Sequence, residues 1–180
     1  MTGCRTVHFE KDPLNSKWTY INSGFKKKAA AGVGIILSPQ VKLIKSNIWI
    51  EGRILSARII LNGSKINAIS AYSPTDATKS EASKDHFYHQ LDKAIKALKS
   101  KHPSYKILIG GDMNATIGSD SYGLWNCLGR NNDELATNGN GRRLLTVCEN
   151  NNLHIMNSLF DSKAIHRETW YQPIHPGLTA

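Results

Sequence analysis

Long apolar runs are missing from this sequence. Its longest uninterrupted apolar stretches, such as residues 33–37 and 107–109, fall far below the roughly 20 residues that a membrane-spanning helix needs. Residues 1–12 contain no apolar segment of the kind that a secretory signal carries. The sequence therefore predicts no membrane association, and an intracellular location, nuclear or cytoplasmic, is the expectation.

Cysteine is also scarce, with Cys4, Cys127 and Cys148 as the three examples. An odd number without C-x-x-C spacing and without clustered histidines argues against a disulfide framework and against a zinc knuckle. We interpret all three as free thiols, with Cys148 in the core because free cysteine is usually buried. No disulfide-linked partner is expected, and the protein is expected to be a monomer.

Acidic residues are few relative to basic ones, 14 against 23, which gives a net charge of +9. Such a surplus favours a polyanionic partner, because lysine and arginine contact phosphates and release their counterions. Many basic proteins nevertheless bind no nucleic acid. The charge therefore becomes informative about DNA only together with a site.

The apolar pattern of this 180-residue chain first has the period of strands and then that of helices, within a length that suits one domain. Asn62-Gly63 separates two β-rich runs and is a strong hairpin signal. Thr78 and Glu81 fit a capping box in front of an amphipathic helix. The predicted strands are residues 18–21, 32–39, 54–61, 65–72, 106–110 (buried) and 153–157; the predicted helices are residues 80–99 and a second one around 144–148.

Asp112 and Asn114 lie two residues apart, directly after the predicted strand 106–110 and the pair Gly110-Gly111. In an extended chain both side chains would point to one side. Such an oxygen-rich pair suits Mg²⁺, which takes one or two protein carboxylates and completes its shell with water and phosphate. Alternatively, the pair forms a turn in which both side chains bond their own backbone.

Tyr72 ends an earlier predicted strand, followed by Ser73-Pro74. A tyrosine hydroxyl in this position is able to bond a phosphate. The alternative is a partly buried aromatic ring whose hydroxyl is hydrated.

Taken together, these motifs resemble the endonuclease/exonuclease/phosphatase superfamily with its DNase I-like fold. The similarity is greatest to the endonuclease domain of non-LTR (LINE) retrotransposon proteins and to craniofacial development protein 2-like sequences, and it extends over about residues 18–170. The motifs that carry it are GVGIILS (32–38), SAYSP (70–74), LIGGDMNATIG (108–118) and NGNG (138–141), followed by Leu144, Cys148, Asn152-Leu153, Asn157, Phe160, His166 and Thr169-Trp170.

The resemblance implies an α/β fold, a four-layer αββα sandwich, and metal-dependent hydrolysis of DNA with Mg²⁺ or Mn²⁺. It implies that Tyr72 contacts the scissile phosphate. It further implies that Asp112 positions the metal or the attacking water, and that Asn114 orients phosphate and nucleophile. Arg53, His166 and Trp170 are the implied substrate-binding residues, for which a solvated strand-end arginine, a surface histidine and a core tryptophan are the alternatives.

The chain departs from the family pattern at both ends. The metal-binding glutamate of the family has a Leu-Gln-Glu-Thr-like setting that neither Glu10 nor Glu51 shares. No Ser-Asp-His strand follows Trp170, and His175 has no adjacent acid. We therefore expect residues 1–180 to form a single domain of this type, incomplete at its N- and C-termini and impaired in activity. The alternatives are a non-catalytic basic module that binds nucleic acid, or a phosphatase of the same superfamily.

Residues 172–180 are expected to be loosely held, because the strands that follow Trp170 in similar proteins have no counterpart here and would leave a sheet edge unpaired. Hydrogen exchange should therefore be fast throughout this tail. Strong protection from residue 172 to residue 180 would contradict the expectation.

Overall fold

The computed structural model describes residues 5–10, 17–24, 32–75, 80–131 and 136–161. Within these ranges the chain is mixed α/β, with two sheets and two α-helices. The N-terminal sheet contains β1 (Arg5–Glu10), β2 (Lys17–Gly24) and β3 (Gly32–Leu37). The central sheet contains β4 (Lys42–Ile50), β5 (Ile54–Leu61), β6 (Ser64–Tyr72) and β7 (Lys106–Asp112). The helices are α1 (Glu81–Lys101) and α2 (Gly139–Asn150).

Strand order follows chain order in both sheets, and all neighbouring strands are antiparallel except β6 and β7. Helix α1 lies between those two strands in the sequence. A parallel pair needs such a crossover, because the chain has to return to the other end of the sheet before it forms the next strand.

The central sheet is covered on both faces, since successive side chains of a strand point to opposite sides. One face packs on the N-terminal sheet, and the other face packs on α1. The side chains between the sheets are Ile21, Val33, Leu37, Leu55, Ala57 and Ile59. Those buried between sheet and helix include Ile54, Ile69, Ala71, Phe87, Leu91 and Ile95. The described residues thus form helix, sheet and sheet layers; the fourth, helical layer of the predicted sandwich is not found among them.

The Asn62-Gly63 hairpin is confirmed. Both residues have positive φ, 47° and 77°, and Leu61 pairs with Ser64 across the turn. Positive φ at both central positions is the requirement of a type I′ turn, whose twist matches that of the flanking strands. The strands predicted at residues 18–21, 32–39, 54–61 and 65–72 are likewise present with small shifts of their ends, whereas β1 and β4 were not predicted individually.

The predicted capping box is wrong. Helix α1 begins at Glu81 after the N-cap Ser80, whose side chain accepts a hydrogen bond from the Ser83 amide. Glu81 is therefore the first helical residue. Its negative charge interacts favourably with the positive end of the helix dipole, and it forms an ion pair with Lys84. Thr78 lies outside the described residues.

Two further predictions need correction. β7 is an edge strand of the described sheet rather than a buried one, and Leu108 is 57% exposed on it. Residues 153–157 form no strand: Leu153 and Ile155 pack beside Cys127, and a 3₁₀ turn follows at Met156–Ser158. Leu153 and Ile155, two apolar residues two positions apart, thus pack on the small core around Cys127 from a loop and need no strand to do so.

His166, Trp170 and the tail 172–180 lie outside the described residues, so the predictions made for them stay predictions. Within the described ranges, neither helix carries an apolar stretch long enough to traverse a lipid bilayer.

Gly111 determines how closely β7 approaches β6. Its φ is +140°, and a Cβ at this position would overlap the carbonyl group of Ala71 on the neighbouring strand. Gly110, one residue earlier, has open space around the corresponding position. A Cβ would therefore fit at Gly110 but not at Gly111, and this difference is not visible in the sequence.

Gly111→Ala should lower the free energy of unfolding by at least about 2 kcal/mol, because the strained backbone and the steric overlap both act on the folded state. Gly110→Ala is the matched control and should change it by less than about 1 kcal/mol. Urea denaturation of both variants measures the difference. Equal effects of the two substitutions would contradict the close approach at Ala71.

Candidate functional site

Tyr72 and Asp112 lie side by side at the carboxyl ends of β6 and β7. The parallel register pairs Tyr72 with Asp112, and the Ser73 amide donates to the Asp112 carbonyl at 2.9 Å. Neighbouring strands are about 4.8 Å apart. Carboxyl ends of parallel strands are where ligands bind in open α/β sheets. The predicted convergence of Tyr72, Asp112 and Asn114 at one sheet edge is confirmed, while their chemical roles stay predictions.

Asp112 and Asn114 form a turn rather than an extended segment. The Asp112 Oδ1 accepts a hydrogen bond from the Asn114 amide at 2.9 Å, and Asn114 has a φ of 45°. The structure therefore has the turn that was the alternative from the sequence, with the Asp112 side chain bonding the backbone, and not the extended geometry that would put both side chains on one side. The Asn114 side chain instead donates from Nδ2 to the Ser73 carbonyl at 2.9 Å. Asn114 therefore links the two strand ends.

Arg53 packs directly against Tyr72. It belongs to the tight turn between β4 and β5, and its guanidinium lies 4.7 Å from the centre of the Tyr72 ring. Its Nη1 donates to the carbonyls of Tyr72 and Ser73, at 3.2 and 3.1 Å. A guanidinium over a tyrosine ring is favourable by about 0.5–2 kcal/mol. Arg53 is thus a positioned cation beside the two strand ends, not a freely solvated strand-end residue.

The turn that carries Arg53 is anchored to the N-terminal sheet. The Gly52 amide donates to the Oγ of the buried Ser23 on β2 at 2.9 Å. The Tyr72 amide donates to the Arg53 carbonyl at 2.9 Å. Because both sheets hold this turn, the guanidinium has little freedom to leave the site.

Two asparagines at the start of α2 fix the loop that follows Asn114. Asn138 is the N-cap, and its Oδ1 accepts from the amides of Gly141 and Thr116, at 2.7 and 3.1 Å. Asn140 is fully buried and donates from Nδ2 to the carbonyls of Pro74 and Asn114, at 2.9 and 3.0 Å. The backbone of the candidate site is therefore connected to the helix by side-chain amides.

No role was predicted for Asn138 or Asn140, although both stand in the NGNG motif. A usable signal was present, since asparagine is a preferred N-cap directly before a helix. The role of Asn140 had no such signal: its partners Pro74 and Asn114 are 66 and 26 residues away in the sequence.

A second polar network holds the other side of this loop. Asp120 Oδ1 accepts from both the amide and the hydroxyl of Thr137, at 3.0 and 2.6 Å. The same hydroxyl oxygen accepts from the Gly118 amide at 3.0 Å. The hydrogen bond from the Thr137 side chain is the main cause that holds the pKa of Asp120 below its ordinary range.

Cys148 lies in the core, as predicted, together with Cys127. Burial raises the pKa of the Cys148 thiol to about 12 and that of Cys127 to about 11. Because the thiolate is the nucleophile, neither cysteine is suited to covalent catalysis.

Asp112 is the carboxylate that the paired strand ends place at the candidate site. Among the described residues, no three His, Cys, Asp or Glu side chains lie close enough together to hold an ion. Asp112 fits as a single ligand of Mg²⁺, since that ion needs only one or two protein carboxylates besides water and phosphate. The described residues do not complete such a site by themselves.

Comparison with known proteins gives one curated relative. The chain is 30% identical over 165 residues to craniofacial development protein 2 from Bos taurus. The aligned part is 89% of this chain and 26% of that protein, so the chain spans about a quarter of the length of its relative. A search of protein-family models found no match.

Asp120→Asn should destabilise the protein at neutral pH, and this deficit should shrink as the pH falls. The direction of this pH dependence follows from the lowered pKa of Asp120 in the folded state. Such a carboxylate stabilises the fold fully above its unfolded pKa of about 3.9, and this contribution is lost as the pH falls through the folded-state pKa. Urea denaturation of variant and parent at neutral pH and at about pH 3 measures this.

The control is Thr137→Val, alone and combined with Asp120→Asn. The asparagine substitution should cost less in the valine background, because the main partner of Asp120 is already gone. A deficit that stays the same at both pH values would contradict the assigned network.

Proposed function

We propose that this chain is the central part of a metal-dependent DNA endonuclease domain with a DNase I-like αββα sandwich, comprising residues 1–180 as one incomplete domain. The observation that carries the proposal is the pairing of Tyr72 with Asp112 at the carboxyl ends of β6 and β7, with Arg53 and Asn114 beside them. The 30% identity to craniofacial development protein 2, together with the motif resemblance described above, supports the proposal. The reaction is hydrolysis of a phosphodiester by in-line attack of a water molecule.

The residues at the strand ends have different tasks in this proposal. Arg53 supplies a fixed positive charge, and Tyr72 supplies a hydroxyl, both toward a phosphate of the DNA backbone. Asn114 holds the two strand ends together through Ser73, so it acts mainly as a positioning residue. Asp112 is the carboxylate that orients the water or serves as a metal ligand. His166 and Trp170 are proposed to contact DNA at the edge of the site.

The cation proposed is Mg²⁺ or Mn²⁺, with Asp112 as one ligand. When bound, this cation would neutralise the negative charge that develops on the phosphate during the reaction. Glu51 is half-buried and lies two residues before Arg53 in the same turn. The family glutamate and the Asp-His pair have no identified counterparts in the described residues.

The net charge of +9 supports nucleic acid as the substrate over a small phosphorylated compound. A long polyanion gains from many phosphate contacts, whereas a small substrate uses only the few at the site. A second candidate function is a non-catalytic module that binds nucleic acid. It is favoured by one observation: the Asp112 carboxylate is already engaged by the Asn114 amide.

We expect little or no metal-dependent nicking by the 180-residue chain alone. Losing one preorganised electrostatic or acid–base group typically costs about 10²- to 10⁴-fold in rate, and two such groups are unidentified here. A polypeptide extended to include the glutamate strand and the Asp-His strand should cleave. Nicking of supercoiled plasmid with Mg²⁺ and with Mn²⁺ measures both.

Asp112→Asn in the extended polypeptide should abolish nicking, while Asp85→Asn serves as control, since it removes another exposed carboxylate, one that pairs with Arg143. Absence of cleavage by the extended polypeptide would favour the non-catalytic module. Strong nicking by the short chain that disappears in Asp112→Asn would show that a further residue, such as Glu10, Glu51 or His175, completes the site.

A further inference from the structure

A group of four basic side chains gathers around His102 and Tyr105 near the far end of the central sheet, where α1 ends. We call it the basic cluster. Its members are Lys45, Arg58, Lys65, Lys101, His102 and Tyr105. Arg58 pairs with Asn67 on β6, which lies five residues before Tyr72. This corresponds to about 17 Å along the strand, so the cluster is separate from the candidate site.

Arg58 is the centre of the basic cluster. The registers pair it with Lys45 on β4 and with Asn67 on β6. Its Nη1 lies 3.2 Å from Nδ1 of His102, the C-cap residue of α1. A guanidinium only donates, so the His102 Nδ1 accepts and its ring is neutral. Loss of hydration and then the charges of Arg58, Lys101 and Lys45 lower the pKa of His102, which reports a positive local field.

Tyr105 adds an aromatic surface between the cations. The guanidinium of Arg58 lies 5.8 Å and the Lys65 ammonium 6.0 Å from its ring centre. The His102 ring is 5.6 Å away and tilted by 59°. The Tyr105 amide donates to the His102 carbonyl at 3.0 Å, which fixes the turn after α1. Cations that pack on an aromatic ring are held in place by cation–π attraction, so Arg58 and Lys65 are positioned charges.

Unpartnered polar atoms lie beneath this surface. The Asn67 side chain is 0% exposed, and neither its Nδ2 nor its Oδ1 has a hydrogen-bond partner. The Nε of Arg58 is also buried without a partner. Buried polar groups normally find one, and each that does not costs roughly 1–3 kcal/mol. All three atoms are buried, so a water molecule and not an external phosphate would be their direct partner.

The charges of the basic cluster have no acidic counterpart within it. Every ion pair found in the described ranges involves Lys84, Lys96 or Arg143 instead. The dipole of α1 accounts for Lys101 at its C-terminus, since cations are favourable there. It does not account for Lys45 and Lys65, which come from two strands. An external anion is what would relieve this accumulation of charge.

We propose that the basic cluster binds backbone phosphates of nucleic acid, as a second contact surface separate from the candidate site. Charge complementarity points to this ligand, because Lys45, Arg58, Lys65 and Lys101 gather there and the Tyr105 ring positions two of them. Binding there requires neither a metal nor cleavage, so it does not depend on the proposed endonuclease activity.

The test is binding of a fluorescent DNA duplex of about 20 base pairs by anisotropy, with EDTA present, between about 50 and 200 mM NaCl. The double substitution Lys45→Ala with Lys65→Ala should reduce the slope of log K against log salt by about 1.8, since each lost phosphate contact contributes about 0.9. Both lysines are exposed, so folding should be retained.

The matched control is Lys93→Ala with Arg130→Ala, two exposed cations outside the basic cluster for which no ion pair is found in the described ranges. Both double variants lower the net charge from +9 to +7. The control should leave the slope nearly unchanged. Equal losses in the two double variants would overturn the proposal, because binding would then depend on overall charge alone.

A second readout locates the ligand. In amide NMR spectra, the duplex should shift the signals of His102 and Tyr105, and inorganic phosphate at the same ionic strength should shift them less, because a single phosphate makes fewer contacts. Shifts confined to the strand ends at Tyr72 would overturn the proposal. So would equal shifts by phosphate and duplex, which would assign the basic cluster to a small anion.

Discussion

The contact between Gly111 and the backbone of Ala71 is the constraint on which the candidate site depends. It lets the end of β7 lie against β6, and that approach aligns Asp112 with Tyr72. Any side chain at Gly111 would push the strands apart. The position of the Asp112 carboxylate is therefore determined by the absence of a Cβ one residue earlier, and only secondarily by its own hydrogen bonds.

Around this strand pair, amide side chains do most of the positioning. Asn114 connects β7 to Ser73, while Asn138 and Asn140 connect the following loop to α2. Neutral amides suit this task, because they bond carbonyls and N–H groups without adding charge near a phosphate. The result is a firmly held scaffold that displays few ionisable groups: one cation, Arg53, and one carboxylate, Asp112. In the proposed function these two charged groups would contact a phosphate, and hydrolysis would require further acidic groups.

The positive charge of the chain is not confined to that scaffold. Arg53 is held by backbone carbonyls at one end of the central sheet, whereas Arg58 stands among lysines toward the other end. An extended polyanion is able to contact both ends of one sheet, and a small substrate is not. This distribution connects the two proposals, although each has its own test.

The sequence by itself determined the strands around Asn62-Gly63, the amphipathic helix and the order of the motifs, because turn chemistry and periodicity are local properties. It also placed Tyr72 and Asp112 at strand ends. Only the tertiary structure decided that β7 is an edge strand, that Asn114 turns back toward Ser73, and that Arg58 gathers with His102. These features depend on partners distant along the chain, and a side chain's neighbours across a sheet are fixed by register and packing, which no local pattern records.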